Sequence, residues 1–274
     1  MARKDWEHIH FLGDFALNWK NPKIYRFVPY ERLKELISEN VLIFVSPERW
    51  EDPYEKLYFN IDVKGENPAL PDIACLCFRT EVDENSAAFW DKAKIAKEPY
   101  VKLGLDLYGL CNMLDEFARH TDSEVYIKSV SYQKREEIEN AYKNPCVMRD
   151  SLKESYIRLL SLKRIAFKYE NELRVFITWM RGNKKIEKIL DDGLLKIELR
   201  TNYLFLKEIM LESSFKSKES VAKELNLQKN VDRKGFFIRD GLWNVKIKKQ
   251  VSKCPKIKSI NYPCNTNKFM KGEE

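Results

Sequence analysis

Glu170, Glu172 and Arg174 stand at alternate positions in Lys168-Tyr169-Glu170-Asn171-Glu172-Leu173-Arg174-Val175-Phe176-Ile177. The β-formers that close this stretch predict a strand. Alternate strand residues share a face, so Glu170, Glu172 and Arg174 are expected in one row, with Leu173, Val175 and Ile177 opposite. Two carboxylates at that spacing lie roughly 6.5–7 Å apart along a strand. Close carboxylates raise each other's pKa, and a nearby arginine lowers it. Such a row can hold a sugar hydroxyl or act as a general base. The plainer alternative is a solvated, salt-bridged strand face.

A second chemical stretch is Ser46-Pro47-Glu48-Arg49-Trp50-Glu51-Asp52-Pro53-Tyr54-Glu55. Its two prolines stiffen it. Asp52 before Pro53 favours a turn held by the carboxylate. Trp50 serves either as the hydrophobic anchor of a packed turn or as part of a rigid lip beside a pocket. Other motifs are weak. His8-x-His10 and Cys75-x-Cys77 have metal-ligand spacing, but nothing in the sequence brings them together. There is no Walker loop, no G-x-G-x-x-G and no G-x-S-x-G, and nine glycines are few for phosphate-cradling loops. Lys218–Leu227 resembles the first helix of a helix-turn-helix, but the strand-like residues after it, with Gly235, make an ordinary surface helix the better reading.

The elements that must position these residues follow from periodicity. Strands are expected at Ile24–Val28, Val41–Val45, Tyr58–Val63, Ile73–Arg79, Tyr100–Leu107, Val125–Tyr132, Leu194–Leu199, Lys207–Leu211, Gly235–Ile238 and Leu242–Ile247. Helices are expected at Tyr30–Asn40, with Asn40 as C-cap, and at Asn85–Ala96, Leu110–His120, Arg135–Tyr142, Ser151–Arg164 and Lys218–Leu225. Trp6, Phe11, Phe15 and Trp19 should pack the first 23 residues onto the body. Strands and helices without regular βαβ spacing give an α+β fold, a single mixed-sheet domain with flanking helices.

The chain has 274 residues, 44% of them hydrophobic and 33% charged, enough for a sizeable core under a heavily charged surface. No uncharged apolar run approaches the roughly 18 residues that span a membrane. The N-terminal residues do not read as a secretion signal. The six cysteines are irregularly spaced and read as reduced cytoplasmic thiols. The formal charge is +7, and residues 229–274 hold 12 Lys/Arg against 4 Asp/Glu. The body, 1–228, is therefore near neutral, and the basic C-terminal segment, expected to pack on the same domain, suits nucleic acid, another polyanion or a protein partner.

Three stretches in order carry a family resemblance: Ile24-Tyr25-Arg26-Phe27; Leu42–Pro47 with Trp50–Glu55; and Phe89-Trp90 followed by Tyr169–Arg174. Over about residues 24–180 they resemble domain of unknown function 2971, an uncharacterised bacterial family. Its members carry a Tyr-Arg strand, a Phe-x-Ser-Pro strand, an Asn-Asp-Pro-aromatic turn, a Trp helix and a Glu-Asn-Glu-x-Arg strand. Glu51 stands where that family usually has Asn. The order Arg, Ser, Glu-x-Glu also looks like the layout of ADP-ribosyltransferases, without their Ser-Thr-Ser signature. That likeness implies a split sheet and NAD as cofactor. It implies Arg26 on the NAD phosphates, Ser46 on the strand that orders the nicotinamide pocket, Glu172 on a ribose hydroxyl and Glu170 as the target-side base; Tyr25 and Trp90 are expected to bind the cofactor with them.

The expectation is a cytoplasmic NAD-using transferase acting on a macromolecule, in phage defence or as a toxin, with no metal and no membrane partner. The alternatives are a non-catalytic binding module working through residues 229–274 and a nuclease holding Mg²⁺ with Asp52, Glu170 and Glu172.

Overall fold

The computed structural model describes residues 6–13, 15, 22–55, 72–80, 98–143, 152–199, 206–211, 218–225 and 237–240. The expected strands Tyr58–Val63 and Leu242–Ile247, the helix Asn85–Ala96 with Trp90, Trp19 and most of the basic segment lie outside them.

In chain order the elements are β1 (Ile9–Phe11), β2 (Lys23–Pro29), α1 (Tyr30–Ser38), β3 (Val41–Val45), β4 (Asp72–Arg79), β5 (Tyr100–Asp106), α2 (Leu107–Thr121), β6 (Glu124–Ser129), β7 (Ser131–Gln133), α3 (Arg135–Lys143), α4 (Leu152–Leu159), β8 (Leu162–Arg164), β9 (Glu172–Trp179), α5 (Lys184–Glu187), β10 (Leu190–Asp191), β11 (Leu194–Glu198), β12 (Leu206–Leu211), α6 (Lys218–Glu224) and β13 (Phe237–Asp240). Among the described residues, β7 and β8 form a small separate sheet and the other eleven strands form one mixed sheet. The fold is α+β. Asp106 caps α2 by accepting from the Tyr108 N–H, and Asn40 follows α1 with φ 59°, the left-handed conformation expected of a residue that ends a helix.

Apolar alternation along the strands feeds a core on each face of the sheet. On one face Leu173, Val175 and Ile177 of β9 meet Leu33 of α1 and Leu110 and Leu114 of α2. On the other, Cys75 and Phe176 meet Ile138 of α3 and Ile157 of α4. Burying each large aliphatic side chain contributes about 1.5–3 kcal/mol. The N-terminal aromatics pack as expected where described: Trp6 lies 5.9 Å from Phe11 and 5.8 Å from Tyr108. The start of the basic segment joins the same sheet, because β13 pairs in parallel with β12.

What positions the site is a fork in the sheet. β4 pairs along its whole length with β9, from Asp72↔Trp179 to Arg79↔Glu172. Its other edge is shared by two strands: β3 meets it at Val45↔Cys75 and β2 at Tyr25↔Arg79. Beyond those points β2 runs with β5 and β3 runs with β11. The strands part, and a recess opens between them.

Three expectations are corrected. The strand about Glu172 begins at Glu172, not Lys168, because Ile165–Glu170 is a 3-10 turn and Asn171 reverses the chain at φ 44°. The helix expected to reach Arg164 ends at Leu159: the Ser131 N–H takes the Ser161 carbonyl at 2.8 Å, and Leu162–Arg164 pair with Ser131–Gln133 instead. For the same reason the strand expected at Val125–Tyr132 divides into β6 and β7. Long-range backbone pairing overrides local propensity at both places.

Candidate functional site

Antiparallel register puts directly opposite residues on one face. One row across the sheet is therefore Tyr25, Arg79 and Glu172, and the next is Cys77, Arg174 and Lys128. These rows lie beside the fork. The recess there has a volume of about 350 Å³, within the range of small-molecule pockets, and its walls include Tyr25, Arg26, Phe27, Trp50, Tyr100, Cys77, Arg79, Lys163, Glu170 and Glu172.

Arg174 is buried beneath this recess, and its donors are engaged. Its Nε–H donates to Glu172 Oε1 at 3.0 Å and its Nη2 to Glu172 Oε2 at 3.2 Å. Nη2 also donates to Glu55 and Nη1 to the Leu160 carbonyl. The guanidinium lies 4.3 Å from the Trp50 ring, a cation–π contact. Arg174 thus acts inside the cluster, as an organiser of Glu172, Glu55 and Trp50.

Lys163 is the second internal cation. Its Nζ donates to Glu170 Oε2 at 2.5 Å and Glu172 Oε2 at 3.0 Å, with Glu55 Oε1 at 3.5 Å. Glu170 is therefore not in the strand row of Glu172, yet the two meet through this ammonium. The face is salt-bridged as the plainer alternative has it, but buried: every residue of β9 is enclosed.

The charges follow. Burial pushes the Glu172 carboxyl up, but Arg174 and Lys163 outweigh it and bring the group down to about 2. The pull of the arginine and lysine thus wins over burial, and Glu172 is an anion at every ordinary pH. Burial pulls the Lys163 ammonium down, and Glu172, Glu55 and Glu170 more than reverse that. A hydrogen bond with Cys75, burial and the Glu172 charge hold the Cys77 thiol well up, so it stays protonated. The Glu172 N–H donates to the Tyr132 hydroxyl at 2.8 Å. Burial pushes that phenol up to about 12.

Arg26 differs from the other cations. It is half-buried in the recess, and no carboxylate or carbonyl among the described residues pairs with it. Burial lowers its guanidinium to about 10, Cys77 and Cys75 act in the opposite sense, and Arg32 pushes it further down. Arg79 donates to the carbonyls of Glu170 and Tyr169, both at 2.7 Å, and so ties the 3-10 turn to β4.

Of the residues singled out from sequence, the structure brings Tyr25, Arg26, Trp50, Glu170 and Glu172 to one recess, with Arg174 directly beneath. Ser46 is not among the lining residues. It is a local cap instead: its Oγ accepts from the Glu48 N–H at 3.3 Å and its own N–H donates to the Gly193 carbonyl at 2.8 Å. Asp52 holds its turn, accepting from the Tyr54 N–H and from Arg164, each at 3.0 Å. The carboxylates of the recess close on the chain's own ammonium, and among the described residues no group of three His, Cys, Asp or Glu is arranged to hold a metal ion. His10 and Cys75 lie on β1 and β4, with β6 and β9 between them, and His10 Nε2 is 2.6 Å from Glu124.

Lys163 and Arg79 are the residues that sequence reasoning missed; Glu55 and Cys77 were noticed only as part of a stiff turn and of a Cys-x-Cys spacing, not as neighbours of Glu172. Cys77 and Arg79 had a signal, since they follow Cys75 at alternate positions on a predicted strand. Comparison with protein-family models and with curated proteins gives no match.

Proposed function

We propose that the forked recess binds a nucleotide, with NAD as the concrete ligand, and that the protein transfers ADP-ribose to a macromolecule in the cytoplasm. The observation that carries this reading is Arg26, a recessed guanidinium with no anionic partner among the described residues, between aromatic walls and an ionised carboxylate. A half-buried cation with no anionic partner among the described residues is costly, and a phosphate is the group that relieves it with paired N–H donors. The rings of Tyr25, Phe27, Trp50 and Tyr100 offer faces to a base or a nicotinamide. When NAD loses nicotinamide, positive charge develops at the ribose anomeric carbon. A carboxylate held anionic nearby stabilises it, which is the role assigned to Glu172. Glu170 then serves the acceptor.

The resemblance to domain of unknown function 2971 supports the choice of site, because Arg26, Trp50 and the Glu170–Arg174 stretch that carry it are the residues around this recess. A part in phage defence or toxin action fits such a transferase.

The test is nicotinamide release from NAD, followed by mass spectrometry, with the protein and a bacterial lysate beside a Glu172→Gln control. Release by the native protein alone is expected. Equal release by both would remove Glu172 from the chemistry. No release by either, with ADP-ribose failing to bind in calorimetry, would overturn the NAD reading.

The second reading, a binding module, rests on the charge concentrated in 229–274. It predicts DNA or RNA affinity that falls steeply with salt and vanishes on removing those residues.

A further inference from the structure

The carboxylates on which the proposed chemistry depends come from different backbone contexts. Glu172 opens β9, whereas Glu170 ends a 3-10 turn beyond a left-handed Asn171. Strand geometry alone does not align them. Among the described residues, Lys163 spans the gap. Lys163 Nζ stands 2.5 Å from Glu170 Oε2 and 3.0 Å from Glu172 Oε2, with Glu55 Oε1 at 3.5 Å. Lys163 is itself placed by long-range pairing, since β8 hydrogen-bonds to β7 through Tyr132↔Lys163. Its ammonium lies 5.2 Å from the Phe167 ring of the same 3-10 turn.

We infer that Lys163 is a positioning residue of the recess, whose ammonium holds the Glu170 and Glu172 carboxylates together and sets the charge that Glu172 presents to a ligand. This rests on the reading that those carboxylates serve a ligand in the recess. The groups facing Glu172 are Arg174 on its own strand, Lys163 on β8, Glu170 on the turn, Cys77 and Arg79 on β4 and the Tyr132 hydroxyl on β7; Glu55 reaches it through the two cations. Among the described residues, Arg174 and Lys163 are the cations in direct contact with its carboxylate. Arg174 also serves Glu55 and the Leu160 carbonyl, so it is tied into the frame. Lys163 is the cation that borders the recess and touches both glutamates. Without it, two carboxylates would face each other with one cation fewer between them, and like charge favours protonation.

The experiment is a carbon-13 NMR titration of the Glu172 carboxylate, assigned by its loss in Glu172→Gln, in the native protein, Lys163→Met and Lys163→Arg. The titration of Lys163→Met should move up by about one pH unit or more. Lys163→Arg, which keeps the charge, should restore it. Nicotinamide release by Lys163→Met at neutral pH should fall on the order of tenfold to a hundredfold, and its acid limb should move with the titration. An unmoved Glu172 titration in folded Lys163→Met would overturn the inference. If that variant does not fold, Lys163→Gln replaces it with the same two outcomes. If the native protein releases no nicotinamide, the proposed function fails while the NMR comparison still decides the role of Lys163.

Discussion

Glu172 and Arg174 stand two residues apart on one face of β9 and bond side chain to side chain, Arg174 Nε–H to Glu172 Oε1 at 3.0 Å. The pair ties the recess to the frame beneath it. Arg174 is 1% exposed and also serves Glu55 and the Leu160 carbonyl. Arg174→Met would leave Glu172 and Glu55 buried with Lys163 as their remaining close cation and would orphan the Leu160 carbonyl. Removing one member of a buried ionic cluster costs about 3–5 kcal/mol. Urea unfolding should show that loss. A change below about 1 kcal/mol would mean that solvent reaches the cluster.

Glu172 also makes stability depend on pH. Its carboxyl falls from its ordinary 4.5 to about 2 in the fold. A depressed carboxyl contributes stability that is fully present above the unfolded value and is lost as pH falls through the folded one. The window is therefore about pH 4.5 down to 2, and the contribution is about 3 kcal/mol. Denaturant midpoints across that window should fall in the native protein and fall less steeply in Glu172→Gln. Parallel slopes would remove Glu172 as the source.

Arg26 should behave in the opposite sense. Its guanidinium is lowered to about 10 by burial, so its charge opposes folding at neutral pH. Stability from this group rises only as pH climbs above about 10, where the folded state has begun to shed the proton and the unfolded chain has not. At pH 7, Arg26→Gln should raise the unfolding free energy by about 1 kcal/mol, because it removes a desolvated, unpaired charge. It should also abolish ADP-ribose binding in calorimetry. A gain in stability coupled to a loss of binding is the mark of a residue kept for a ligand. A loss of stability would show that a partner already offsets the charge.

Much of the frame was legible because it is local. Val41–Val45 and the start of α1 at Tyr30 stand where apolar spacing puts them, and Asp52 holds its turn as an aspartate before proline should. Arg26 and Glu172 were found as residue types, but their meeting is a property of the fork at β4, which no local pattern encodes. The mistakes have one cause. Lys163 sat in a helical pattern, and pairing between Ser131–Gln133 and Leu162–Arg164, about 30 residues apart in sequence, made it a strand residue. Glu170 had strand-like neighbours, and Asn171 turned the chain instead. Ser46 was assigned by order along the chain, and order does not encode that its hydroxyl caps the next turn.

Two glycines separate the fold from the recess. Gly104 on β5 lies opposite Tyr25, and a Cβ there would stand 3.0 Å from Glu208 Cβ and 3.5 Å from Tyr25 Cε1. Gly193, in the turn between β10 and β11, has φ +70°, and its Cβ would stand 3.3 Å from Arg49 Cδ. Gly104→Ala overpacks the sheet beside a wall of the recess and should cost about 1–3 kcal/mol. Its neighbour Tyr25 lines the recess, so ADP-ribose affinity should fall with it. Gly193→Ala strains a left-handed backbone position and should cost about 1 kcal/mol. It touches Arg49 and Ser46, neither of them a lining residue, so affinity should hold. Unfolding midpoints and calorimetric titrations of the two variants, taken together, test whether the fork is where ligand binds. If Gly193→Ala weakens binding as much as Gly104→Ala, the ligand site lies towards the Ser46 turn instead.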